Sequence, residues 1–142
     1  LATWFIVDVL GKDITFTYRT DMWDSALRII AESPIWGYGY PSTEWYLSNM
    51  SSLAIGPHNT ILAVLIFGGS IALFLYISIY MMGLMKLLQY RDKTSNIVFA
   101  AITMLTFMML MEVYPIYFVV YLLALAYYYP DIASSFRKES GA

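Results

Sequence analysis

The sequence predicts an all-α integral membrane helix bundle, with about three transmembrane helices and an extracytoplasmic loop carrying an amphipathic helix. Three observations lead there. Hydrophobic residues fill 60% of the 142 positions and charged residues only 13%, against about 25% charged in an ordinary soluble domain. Thr60 to Met85 contains no charged side chain. As a helix it would be roughly 39 Å long, enough to cross a hydrocarbon core of about 30 Å with some tilt. The polar features gather instead in residues 11–58, just before that run. A net charge of −2 offers neither a basic patch for nucleic acid nor an acidic tail. The absence of cysteine excludes disulfides and thiolate metal ligands, and one histidine with carboxylates is a poor zinc set, so no metal is expected.

Leu1 to Leu10 is apolar apart from Asp8, with no basic region before it and no small-residue cleavage site after it. That pattern is not a signal peptide. It reads as the end of a membrane helix, with the chain as the C-terminal piece of a larger protein. Gly11-Lys12-Asp13 breaks the run, and Ile14 to Tyr18 supports a short extended stretch. Thr20 is placed to cap a helix reaching about Ser33, with Asp21 and Asp24 in its first turn. Met22, Trp23, Ala26, Leu27 and Ile30 give that helix one apolar face, and Pro34 ends it. Such a helix lies on the membrane or against the bundle. Gly37 and Gly39 then permit backbone turns, and Pro41 to Pro57 forms a polar, aromatic loop without period.

The Thr60–Met85 span carries Gly68-Gly69-Ser70 in its middle, where small residues allow close helix packing. Lys86, Arg91 and Lys93 follow in a short loop. Asn96 to Tyr129 is too long for one crossing and suits a hairpin turning at Glu112-Val113-Tyr114-Pro115, with a short second arm ending in the aromatic belt Tyr127-Tyr128-Tyr129. Arg137 and Lys138 lie on the same side as the basic loop, which makes that side cytoplasmic and residues 11–58 extracytoplasmic. Three parts result: 1–10 ending a preceding span, an outer loop at 11–58, and a three-span bundle with a cytoplasmic tail at 59–142.

Arg19 offers a permanently charged, planar fork suited to phosphate or carboxylate oxygens, although taken alone it reads first as a surface arginine drawn to lipid phosphates or paired with Asp21. His58 is the single histidine, a residue type that exchanges protons near neutral pH; simply starting the following helix is its alternative role. Asn59 is a good N-cap, and the N-terminus of a long helix attracts anions. An arginine, a histidine and a helix N-terminus facing one compartment suit a phosphate-bearing ligand. Glu112 is an intramembrane carboxylate by sequence, but the hairpin turn brings it to the interface, where a structural role suffices. Gly37 and Gly39 do not form a nucleotide loop, since no strand precedes and no lysine follows.

Arg19-Thr20-Asp21-Met22-Trp23, then Pro34-Ile35-Trp36-Gly37-Tyr38-Gly39, then His58-Asn59 opening an apolar helix with Gly68-Gly69 together resemble the O-antigen ligase and polymerase superfamily. The resemblance covers roughly residues 17 to 75 and lies in the order and spacing of the elements. It implies a multi-pass glycosyltransferase of the bacterial cytoplasmic (inner) membrane. Its donor would be an undecaprenyl-diphosphate-linked glycan at the outer face, its acceptor a glycan or lipid, and its product O-antigen, capsule or a related surface polysaccharide. The bilayer is its setting, no nucleic acid takes part, and no cofactor is required. It maps the family's loop arginine to Arg19 and loop histidine to His58 as catalytic residues. Arg28, Asn59, Gly37 and Gly39 become substrate-binding positions, and the chain by itself is not expected to be active. A segment of a lipid-linked glycan flippase or other transporter is the competing expectation; it would line the spans with polar residues, and only Glu112 is available. The preceding sequence would separate the two, since further spans there favour the transferase.

Overall fold

The computed structural model describes residues 19–50, 55–90 and 92–139. Among them all regular structure is helical: α1 Arg19–Glu32, α2 Thr43–Asn49, α3 Thr60–Leu88, α4 Lys93–Met109 and α5 Ile116–Glu139. The expected helix end at 1–10, the extended stretch at 14–18 and Arg91 lie outside the described residues.

Helix α1 forms where the amphipathic pattern predicts it, though already helical at Arg19, so Thr20 lies within the helix and does not cap it. Its buried stripe is Met22, Ser25, Ala26 and Ile29. The expected face is therefore rotated: Trp23 and Ile30 sit at its edges and Leu27 is exposed. Helix α2 interrupts what reads as an irregular loop. Ser42 caps it, its Oγ accepting from Trp45 N at 3.2 Å, and buried Tyr46 anchors it against Ala26, Ile29 and Ile66. Seven residues are too few to show a helical period, so packing of one aromatic ring rather than a pattern holds this element.

Helix α3 is not the continuous rod expected from its uncharged sequence. Gly68 (φ −144°, ψ 23°) and Gly69 (φ 61°, ψ −157°) leave helical geometry and divide it into Thr60–Phe67 and Ser70–Leu88. In a continuous helix Ser70 N would donate to Ile66 O, and Phe67 O would accept from residue 71. Here Ser70 N donates to Pro34 O, Tyr38 N to Ile66 O and Gly39 N to Phe67 O, each at 2.8 Å. The Pro34–Gly39 loop thus supplies partners for Ile66 O, Phe67 O and Ser70 N, which the break would otherwise leave unpaired. The glycine pair permits interlocking of two backbones, not the helix–helix contact expected for it. A Cβ on Gly37 would lie 2.6 Å from Ile66 O, and one on Gly69 2.2 Å from the Ile35 carbonyl.

Among the described residues, Thr60–Leu88 is the one helix long and apolar enough to cross a membrane. Its second part, Ser70–Leu88, is about 28 Å long, close to the thickness of a hydrocarbon core. Lys93–Met109 is apolar but shorter, at 17 residues. Helices α4 and α5 form the predicted hairpin, turning between Leu110 and Pro115. The second arm is not short: α5 runs 24 residues, through Pro130 to Glu139. Leu87, Ile102, Leu105, Met109, Val119, Leu123 and Ala126 form the core of α3, α4 and α5. At the opposite end of this bundle Asp92 caps α4 in a capping box with Ser95 and accepts from Tyr129 Oη at 2.7 Å. The Ser95 amide and that phenol hold its carboxyl below the usual carboxylate range.

Candidate active site

Three segments far apart in sequence meet at the turn between α4 and α5. His58 Nδ1 lies 3.0 Å from Glu112 Oε1, and Arg19 Nη2 lies 3.8 Å from Glu112 Oε2. The Val113 amide also donates to Glu112 Oε1, at 3.1 Å. The Arg19, His58 and Glu112 side chains are 29%, 23% and 46% exposed, so the cluster is partly shielded yet reachable from outside. With Glu112 ionised, Nδ1 carries the proton facing it and Nε2 is left free to accept one.

The chain around His58 is fixed from three directions. Trp23 Nε1 donates to Pro57 O at 3.0 Å, tying α1 to the residue before it. Asn59 caps α3, its Oδ1 accepting from Ile61 N and Leu62 N, while its Nδ2 donates to Leu110 O at 3.0 Å. Thr60 Oγ1 donates to Glu112 O at 2.9 Å. His58 itself has φ 46°, a left-handed conformation uncommon outside glycine. Such strain accumulates at functional sites.

The expected site residues therefore separate. Arg19 and His58 come together, joined through Glu112, which the interface argument left with a structural role. Asn59 adjoins them, but its amide is engaged in capping and in holding the hairpin turn. Arg28 is nine residues beyond Arg19 on the same helix, which is about half a revolution away and roughly 13 Å along the axis. It donates to Ser25 Oγ at 2.9 Å. Gly37 and Gly39 belong to the interlock with α3. The residue that sequence reasoning undervalued is Glu112, and its signal was present: a carboxylate isolated within an apolar stretch.

A cavity of about 520 Å³ opens beside the cluster, its wall shared by Thr60, Phe67, Tyr76, Val113 and Tyr117. Thr60 and Val113 both bond Glu112, so the cavity begins one residue from the ionic cluster and continues over mostly apolar surface. Thr60 and Tyr76 line it from opposite parts of α3, as the break between them allows. No group of His, Asp or Glu suited to a metal ion occurs among the described residues.

Comparison with known proteins places the chain in a family. The O-antigen ligase family profile matches residues 5–77. An O-antigen ligase of Pseudomonas aeruginosa is 34% identical over 91 residues, covering 64% of this chain and 22% of the relative. The chain thus spans about a fifth of that relative's length. No solved structure matches.

Proposed function

The chain belongs to the O-antigen ligase family, and from that premise we propose that it serves a membrane enzyme that transfers or polymerises glycans in surface polysaccharide synthesis. The donor is a glycan on undecaprenyl diphosphate at the outer face of the bacterial inner membrane, and the acceptor a glycan or lipid. The observation that supports this most is the meeting of Arg19, Glu112 and His58 at one end of the helices. In the reaction the bond from the sugar's anomeric carbon to the diphosphate oxygen breaks, and its electron pair leaves with the diphosphate. An acceptor hydroxyl oxygen bonds to that carbon, and its proton passes to His58 Nε2, later to be released to the diphosphate or to water.

Each residue has a distinct task. His58 is the general base, and Glu112 holds the imidazole in the tautomer that exposes Nε2 and stabilises the imidazolium once formed. Arg19 sits near the end of its ion-pair range with Glu112. A diphosphate arriving there competes for the guanidinium, whose hold strengthens as the leaving group gains charge. The apolar cavity next to the cluster is suited to the hydrocarbon part of the donor. Asn59 contributes to substrate binding by fixing the turn, and Gly37 and Gly39 by framing the site. Arg28 is at most a contact to lipid phosphate. Arg19→Lys is expected to lose roughly tenfold or more in turnover with expression retained, because an ammonium lacks the guanidinium fork. Wild-type turnover in Arg19→Ala would remove Arg19 from the site.

This reading also requires a topology. Residues 11–58 and the Glu112 turn face outward, three spans follow from α3, α4 and α5, and the tail is cytoplasmic. A cysteine at exposed Ser48 is expected to react with an impermeant thiol reagent in intact spheroplasts, and one at exposed Thr94 to be protected. Labelling confined to Thr94→Cys would put the cluster in the cytoplasm and end the ligase reading. The direct test supplies the intact protein with an undecaprenyl-diphosphate glycan and candidate acceptors; product must form, and its absence with every acceptor counts against the proposal.

A further inference from the structure

We propose that Gly37 and Gly69 are positioning residues for His58: by interlocking the Pro34–Gly39 loop with the break in α3, they hold the half-helix Thr60–Phe67 bent toward the α4–α5 turn. The role given to His58 rests on the transfer reading above; the geometry of the joint does not.

Three backbone groups at the break, Ile66 O, Phe67 O and Ser70 N, have two ways to find partners. In the one observed, Ile66 O and Phe67 O accept from the Tyr38 and Gly39 amides, and Ser70 N donates to Pro34 O. In the other, Ser70 N returns to Ile66 O, residue 71 to Phe67 O, and α3 becomes straight. Neither leaves Ile66 O, Phe67 O or Ser70 N without a partner, so the joint is held open by the loop and not by an inability of α3 to close. Two further contacts keep the loop in register: Gly37 N donates to Ser33 O at 3.1 Å, and Tyr38 Oη to Ile29 O at 3.2 Å.

Both glycines are required by space as well as by backbone angle. Gly37 (φ 67°) and Gly69 (φ 61°) occupy conformations that side chains resist. An added Cβ at either would meet backbone atoms of the other partner, which cannot rotate aside. The consequence reaches the site through the short half-helix. Asn59, Thr60 and His58 at its start all contact the Leu110–Glu112 turn. Straightening α3 would draw them away from Glu112 together.

The test uses the intact membrane protein. With any cysteine outside these 142 residues replaced by serine, spin labels can be placed at Ile61→Cys and Leu110→Cys, two partly exposed positions that line one cavity in the bent form. Gly69→Ala, Gly37→Ala and the double variant Gly68→Ala, Gly69→Ala are expected to lengthen the label distance by roughly 10 Å, about the length of the half-helix. Unlabelled, each should lose roughly a hundredfold in glycan transfer. The double variant matters because two alanines favour a continuous helix, giving a narrow, longer distance where misfolding would give a broad one. Gly56→Ala, where a Cβ meets nothing within 4 Å, should change neither measurement. An unchanged distance in the double variant overturns the joint. A lengthened distance with wild-type transfer overturns the positioning role. If the parent protein transfers no glycan, the transfer reading fails and the distances still decide the joint.

Discussion

Replacing His58 with glutamine is expected to lower turnover by roughly 10²–10⁴-fold while leaving donor KM near its wild-type value. Glutamine retains a donor for Glu112 but cannot take a proton from the acceptor, so the loss falls on the chemical step. The left-handed backbone at His58 offers a second explanation for any loss, because a substitution there adds strain of its own. Asparagine tolerates that conformation better than most residues, so His58→Asn separates the two. Recovery of turnover in His58→Asn would assign the effect to strain. His58→Arg tests the remaining alternative, an imidazolium holding the diphosphate. An active His58→Arg protein with donor affinity preserved would overturn the general base.

What the sequence discloses and what it hides follow from the range of the forces involved. Helix α1, the Asn59 cap and the hairpin at Glu112–Pro115 are local patterns, set by spacing of apolar residues, by one side chain and by turn chemistry, so they can be read in order. The break in α3 cannot. Gly68-Gly69 within an uncharged run is compatible with a straight helix, and only the distant Pro34–Gly39 backbone makes the bent form complete. Helix α2 is hidden for a related reason, since its stability comes from Tyr46 packing against α1 and α3. At the site, Arg19 and His58 stand out by residue type. Their link through Glu112 spans more than fifty residues and depends on three helices meeting, which no spacing rule encodes. The interface argument for Glu112 missed its neighbours.

Those neighbours make Glu112 the second large test. Glu112→Gln keeps the volume and removes the charge shared by His58 and Arg19, and roughly a hundredfold loss of turnover is expected. Two mechanisms would produce that loss, and a double-variant cycle with His58→Gln distinguishes them. If Glu112 acts by orienting His58, the carboxylate has nothing to orient once the imidazole is gone. His58→Gln, Glu112→Gln should then be no slower than His58→Gln alone. If Glu112 acts instead by holding Arg19 for the diphosphate, the two losses fall on different groups and their free energies add. The 3.0 Å contact to Nδ1, against 3.8 Å to the guanidinium, favours the first. Additive losses would transfer Glu112 from the histidine to the arginine.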